Sequence, residues 1–357
     1  MNGEETKPTK LSKKEKMKLK KESKKKEQKI DDSDDHADAG KSDSVQLLNK
    51  SFFFRYVNPS LPIQTHESYP ASIDPQEASL LRTCAQLCEC SYGKKKYSKW
   101  PQEVGDPVFF KKDSDVARIP FYINNSDQLN TIFLTCRGTY CFDDFITDLM
   151  GNCAEVCGGK MHQGIYDTAS YIFYNSQRLL VSLSKENHNR PIVFTGHSLG
   201  AAVSAALCEI MIQSFPDIPC RCIALAPPPT VDLSLWKITR EHTKSFILEG
   251  DCIPFLSLEN VINISVEILP TKIANAVNNW IHNRLKQTSV GAYEPMSTVQ
   301  LTPPGELYLF VVDETGTAHL RTVGPEYFDC LTRGLADTIH AMNNYYSTIN
   351  NYFRNHT

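Results

Sequence analysis

The pentapeptide Gly196-His197-Ser198-Leu199-Gly200 follows the apolar run Ile192-Val193-Phe194-Thr195 and precedes Ala201-Ala202-Val203. This order predicts a strand, a sharp turn and a helix, with a serine at the tip of the turn. A hydroxyl held there stands above the end of the sheet. It can attack a carbonyl once a base takes its proton. Glycines two residues either side remove the Cβ atoms that would collide as strand and helix close. The helix start also presents free N–H groups and a positive dipole end to a developing oxyanion. The backbone N–H of Leu199 is the first such donor.

A serine of this kind needs a histidine, and the histidine needs a carboxylate to fix its tautomer. With this type of turn the order along the chain is serine, acid, histidine. Asp251 is the best acid. It sits in Leu248-Glu249-Gly250-Asp251-Cys252-Ile253-Pro254, just beyond a predicted strand, where open sheets carry catalytic groups. Asp232 competes, but its position after Pro227-Pro228-Pro229 reads as a surface helix cap. The histidines after Asp251 are His282, His319, His340 and His356. His282 falls on a predicted amphipathic helix over 271–287 and faces solvent. His319 lies in a strand-like stretch, 318–323, and His340 comes late, near the final helical stretch. The residues alone leave His340 and His319 open.

A tetrahedral oxyanion needs two or three preset donors. Arg137-Gly138-Thr139 follows the β-rich run 131–136 and supplies a second candidate, the N–H and hydroxyl of Thr139, beside a glycine that permits close backbone approach. Next, Phe142, Phe145, Ile146 and Leu149 recur at helical spacing with Asp143, Asp144, Thr147 and Asp148 between them. That is a short amphipathic helix beside the site. It is either an ordinary surface helix or a lid that opens on a lipid surface.

Elements able to hold these groups are legible along the chain. Asp74 and Pro75 start a helix predicted over 75–92, with Ala78, Leu81, Ala85 and Cys88 on one face. Strands are predicted over 107–110, 117–123, 131–136, 192–195, 222–226 and 245–248, and helices over 164–183 and 198–212. Strands alternating with helices imply a mostly parallel sheet covered on both faces.

The chain has 357 residues, 41% of them hydrophobic, enough for one large domain with a sizeable core. Its net charge is −3, unevenly spread. A dozen lysines fall between residues 7 and 29, followed by Asp31, Asp32, Asp34, Asp35 and Asp38. Residues 1–45 therefore read as a disordered tail. Its lysines suit peripheral contact with anionic membrane, each worth about 1 kcal/mol at the surface. No aromatic residue interleaves them, so nucleic acid is not an expected partner. There is no apolar leader run, and no stretch approaches the roughly 18 apolar residues of a membrane span. The expected location is cytoplasmic, peripheral on membranes or on lipid droplets. The twelve cysteines are expected as reduced thiols. The paired spacing of a structural zinc module is absent, and no metal or organic cofactor is expected.

Taken in order, these motifs resemble the class 3, fungal-type lipases from about residue 75 to 350. Phe133–Thr139 looks like the family's oxyanion strand. Asp144-Phe145, Asp148-Leu149 and Met161-His162-Gln163-Gly164 resemble the blocks that follow, and Thr195–Ala202 matches the nucleophile turn. Ala224–Pro229, the Gly250-Asp251 turn with Ile253-Pro254, and Thr302-Pro303-Pro304-Gly305 are more similar to sn-1-specific diacylglycerol lipases. Glu326–Tyr345 resembles the family's closing histidine block, with His340 in the histidine's place. The resemblance implies an α/β-hydrolase fold, a Ser198–His340–Asp251 triad, an oxyanion hole at Thr139 and Leu199, and acylglycerol hydrolysis through an acyl-enzyme. Phospholipase A1, a small-ester esterase and an inactive lipid-binding scaffold are the rivals. The expected organisation is a tail over 1–45, a linker or edge segment over 46–74 and a hydrolase domain over 75–357. A cap insertion is expected over 258–300, where the sequence departs from the secreted fungal lipases.

Overall fold

The computed structural model describes residues 61–93, 99–112, 119–138, 152–257, 259–260 and 299–356. The lysine-rich tail, the amphipathic segment 142–149 and the helix expected over 271–287 lie outside the described residues.

Eleven strands form among the described residues. They are β1 (Ser68–Pro70), β2 (Phe109–Lys111), β3 (Phe121–Ser126), β4 (Thr131–Cys136), β5 (Cys153–Val156), β6 (Gly159–His162), β7 (Ile192–His197), β8 (Cys220–Leu225), β9 (Thr243–Leu248), β10 (Glu306–Val312) and β11 (Ala318–Val323). Nine of them make one sheet in the order β1-β11-β10-β9-β8-β7-β4-β3-β2, and β5 and β6 pair separately. The five central strands, β4, β7, β8, β9 and β10, run parallel. Antiparallel pairs extend the sheet at both edges. The expected parallel sheet is therefore its centre. The edges can be antiparallel because short turns, such as Asp127–Asn130 between β3 and β4, replace helical crossovers.

The α-helices that lie wholly within the described residues are α1 (Pro75–Ser91), α2 (Gln163–Glu186), α3 (Leu199–Ser214), α4 (Leu233–Thr239) and α5 (Met342–His356). Side chains alternate across a strand, and the two faces bury different sets. Ile132, Leu134, Phe194, Cys222 and Ala224 pack with Ile165, Ala169 and Ile172 of α2 and with Ala202, Ala206 and Met211 of α3. Phe133, Val193, Ile223, Leu225 and Phe246 pack with Leu81, Ala85 and Cys88 of α1 and with Tyr345, Ile349 and Tyr352 of α5. The core strands thus read as unbroken apolar runs because helices cover both faces.

Local signals set the helix starts. The Asp74 carboxylate accepts the Glu77 N–H at 2.8 Å, with Pro75 in the first turn. A cap of this kind is worth about 1 kcal/mol. Asp232 caps α4 through the Leu235 N–H, also at 2.8 Å. The strands expected over 222–226 and 245–248 form over Cys220–Leu225 and Thr243–Leu248, and the two expected first in the chain shift as well. The first covers 109–111 rather than 107–110, and the second starts at Phe121, where pairing with Cys136 begins.

Cys84, Cys88, Cys136, Cys153, Cys157, Cys208, Cys220 and Cys222 carry thiols outside any disulfide. Cys84, Cys88, Cys136, Cys208 and Cys222 are fully buried in the core clusters. Burial pushes the thiols of Cys84 and Cys136 up to about 12, so they act as small apolar side chains rather than nucleophiles.

Glu209 on α3 is 2% exposed, and its Oε1 has no hydrogen-bond partner among the described residues. Burial, aided by the charge of Glu241, raises its pKa from 4.5 to about 7. Between those values the folded chain holds a proton that the unfolded chain has lost. This contribution to stability is complete below pH 4.5 and fades as pH rises through 7. Thermal melts of Glu209→Gln are expected to exceed wild type at pH 8, by a few kcal/mol at most. The two curves converge toward pH 4.

Candidate active site

β7 runs two residues further than the apolar pattern suggests, through Gly196 and His197, and delivers Ser198 directly to the start of α3. Ser198 is the residue before the helix rather than its first turn. Its φ of 60° and ψ of −130° lie outside the ordinary regions for an L-residue. Strain of this kind persists only where the surroundings over-determine it. Here the Ser198 N–H donates to the Leu225 carbonyl of β8 at 2.9 Å, and the Ser198 carbonyl accepts from Ala201 N–H at 2.9 Å.

The flanking glycines are required by contact. A Cβ on Gly196 would strike the backbone of Gly200, and one on Gly200 would strike the Cys136 carbonyl of β4. Both obstacles are backbone, which cannot swing away. Gly200→Ala is therefore expected to lower stability by about 1–3 kcal/mol or prevent folding, read as the shift in urea midpoint. Gly138, two residues past the end of β4, would place a Cβ 2.6 Å from the His197 carbonyl and 3.3 Å from Ser198 Cβ. Chain leaving β4 therefore passes directly beside the serine. Leu199 opens α3, so its N–H has no acceptor within the helix. Thr139, the other expected oxyanion donor, lies outside the described residues.

Asp251 is fully buried in the turn after β9. Its Oδ2 takes the Nδ1–H of His340 at 2.9 Å, and its Oδ1 takes the Ile253 N–H at 2.9 Å. The Tyr345 hydroxyl, from α5, also donates to Oδ2 at 2.6 Å and accepts the Leu248 N–H at 3.0 Å. Burial, then the charge of Asp251, holds Tyr345 far above its ordinary pKa, so it remains a donor. Gly250 has a φ of +84°, and its carbonyl accepts from the Ala336 N–H at 2.7 Å. That bond ties the acid's turn to the segment ending in His340.

The structure brings Asp251 and His340 together from 89 residues apart in sequence. It does not bring His319 to them. His319 sits on β11, exposed, with Nε2 2.8 Å from Asp313 Oδ2 in a surface hairpin. Hydrogen bonds from Thr315 and then His319 hold Asp313 below the usual carboxylate range. His356 stacks on Tyr352 at the end of α5, and Asp232 is a helix cap. His282 lies outside the described residues.

His197 is a group that spacing alone did not single out. Its Nδ1 lies 3.0 Å from the Tyr92 hydroxyl and its Nε2 lies 2.9 Å from the His340 carbonyl. Its ring stacks on that of His340, with centroids 4.5 Å apart and planes at 28°. It meets Tyr345 edge-on at 5.4 Å. Burial, then the facing His340, depresses its pKa well below the ordinary histidine value. The only sequence signal was its place beside Ser198.

Residues 133–261 match the family model for lipase (class 3). Over this stretch the chain is similar to the class 3 lipases. The matched stretch contains most of β4, Gly138, the Ser198 turn and Asp251, while His340 lies beyond it. Mouse diacylglycerol lipase-beta is 30% identical over 167 residues, which is 43% of this chain and 24% of the relative. The match thus spans about a quarter of that curated relative's length. Rhizomucor miehei lipase, in its propeptide complex, superposes with a TM-score of 0.56 at 14% identity, over 81% of this chain and 86% of that one. A triacylglycerol lipase whose catalytic centre is described as a serine protease triad superposes at 0.51 and 13% identity, over 72% and 88%. Likeness at such identity establishes the fold alone, which is the α/β-hydrolase fold.

Proposed function

We propose that the chain hydrolyses acylglycerol esters with Ser198, His340 and Asp251 as its triad. The observation that carries this reading is the His340 Nδ1 to Asp251 Oδ2 contact at 2.9 Å. A carboxylate only accepts, so Nδ1 of the imidazole carries the proton and Nε2 keeps its lone pair. That lone pair is what removes a proton from a serine hydroxyl. Ser198 Oγ then adds to the ester carbonyl. The oxyanion forms against the Leu199 N–H and the Thr139 donors. As it collapses, His340 protonates the departing alcohol and an acyl-enzyme remains. Water, deprotonated by the same histidine, releases the fatty acid and restores Ser198.

Diacylglycerol is the favoured substrate, because the matching relative is named as a diacylglycerol lipase. No helix among the described residues is long and apolar enough to cross a membrane. Substrate is reached from the membrane surface, with the lysine-rich tail supplying attraction to anionic lipid.

The test is release of fatty acid from emulsified diacylglycerol and triacylglycerol, phosphatidylcholine vesicles and a soluble p-nitrophenyl butyrate. Fastest release from diacylglycerol is expected. Preference for phosphatidylcholine would make the chain a phospholipase A1, and activity confined to butyrate would make it a small-ester esterase. Turnover of none, by folded protein, would leave a lipid-binding scaffold.

A further inference from the structure

We propose that His197 is a positioning residue for His340, fixing the proposed base relative to the Ser198 turn. This inference rests on the triad reading above. Three contacts carry it. The His197 Nε2 lies 2.9 Å from the His340 backbone carbonyl, the two rings stack with centroids 4.5 Å apart, and the Tyr92 hydroxyl meets His197 Nδ1 at 3.0 Å.

The carbonyl can only accept, so the proton of neutral His197 is on Nε2. Its Nδ1 then offers a lone pair, and the Tyr92 hydroxyl donates to it. Tyr92 is therefore compatible with, and by donating supports, the tautomer that can hold His340. The ring also covers one face of the His340 imidazole, leaving Asp251 to set rotation within the plane.

Geometry explains why a second anchor is useful. His340 ends a single 3₁₀ turn, Asp337–His340, with no buried residue of its own. Asp251 grips only the ring. The other ties on the backbone under that ring are the Ala336 N–H, four residues back, and the Asn344 amide, which donates to the Thr338 carbonyl at 2.8 Å and the Ile339 carbonyl at 3.3 Å, so the His197 bond is the one made at the His340 carbonyl. His197 is covalently next to Ser198, so its bond to the His340 carbonyl sets nucleophile and base in one frame. A shift of about 1 Å in such a frame is enough to cost 100-fold in rate.

The full chain is tested as wild type, Tyr92→Phe, His197→Gln and His197→Ala, on soluble p-nitrophenyl butyrate and with a fluorophosphonate. Glutamine can restore a donor at the reach of Nε2 but not the stacked ring. The expected order of kcat is wild type, then His197→Gln, then His197→Ala, the last down about 100-fold. KM stays within about twofold because the acyl site is untouched. Labelling rates fall in parallel with kcat. Histidine ¹⁵N spectra of wild type are expected to show His197 neutral and protonated on Nε2 at pH 6. The Nδ1 proton shared by His340 and Asp251 gives a slowly exchanging downfield signal that is lost in His197→Ala.

Unchanged kcat and labelling in folded His197→Ala would overturn the proposal. So would an Nδ1-protonated His197 in wild type. If His197→Ala does not fold, Tyr92→Phe and the wild-type tautomer decide. If wild type neither hydrolyses ester nor labels, the functional reading fails instead. The tautomer and the His340 proton signal then still report whether His197 holds that ring.

Discussion

Ser198→Ala is expected to lower kcat on p-nitrophenyl butyrate by a factor on the order of 10⁵ to 10⁶ while leaving the thermal melt close to wild type. The hydroxyl is the only atom removed. It makes no side-chain capping hydrogen bond to α3, and backbone bonds from Ser198 to Leu225 and Ala201 hold the turn. Alanine at φ 60° is no worse placed than serine. Loss of activity with stability retained would identify the hydroxyl as the nucleophile. A loss of only a few-fold would mean that another group attacks.

Asp251→Asn is expected to cost a factor on the order of 10⁴ in kcat, again with little change in KM. Asparagine fits the same buried space, but one of its two oxygens becomes a donor. Asp251 receives three hydrogen bonds, from His340, Tyr345 and Ile253. The amide oxygen cannot replace both carboxylate oxygens. If it stays on the Ile253 side, the amide nitrogen faces His340 and donates to Nδ1. The ring proton then moves to Nε2, and the lone pair is lost from the side that must face serine. Unlike Ser198→Ala, this variant should also be destabilised, because the Tyr345 hydroxyl faces a donor. Steady-state kinetics with a urea melt separate the two effects. Full activity in Asp251→Asn would remove Asp251 from the mechanism.

The fold was legible where one physical signal dominated. Strands 131–136 and 318–323 coincide with the structure because apolar or β-branched runs end at sharp breaks. Asp74-Pro75 marked a helix start through capping chemistry, which is local. β7 was predicted to stop at Thr195, since Gly196 weakens a strand on propensity. In the structure it pairs on with β4 and β8 through Gly196, and with β8 as far as His197, because close approach of α3 demands a glycine. β10 carried no expectation, because the apolar run Leu307–Val312 is too short for its period to tell a buried strand from a helix segment. The β5–β6 hairpin is four residues a side, too short for periodicity to reveal.

The site divides in the same way. Ser198 was legible from spacing alone, as local structure makes the turn. Asp251 was legible as a carboxylate just past a strand. His340 was not separable from His319 without family resemblance, since only the three-dimensional path from α5 to β9 sets one beside Asp251 and the other in a surface hairpin. The contacts of Tyr345 and His197 were invisible for that reason. Their partners are 94 and 143 residues away.

The central claim is that His340, oriented by Asp251, activates Ser198. Intact-mass measurement of fluorophosphonate adducts tests it most directly, on wild type, Ser198→Ala, His340→Ala and His319→Ala. The account predicts one adduct, located to Ser198 by peptide mapping, on wild type and on His319→Ala, and none on Ser198→Ala or His340→Ala. Labelling that survives in His340→Ala and disappears in His319→Ala, or folded wild type that takes no adduct even with lipid micelles present, would contradict it.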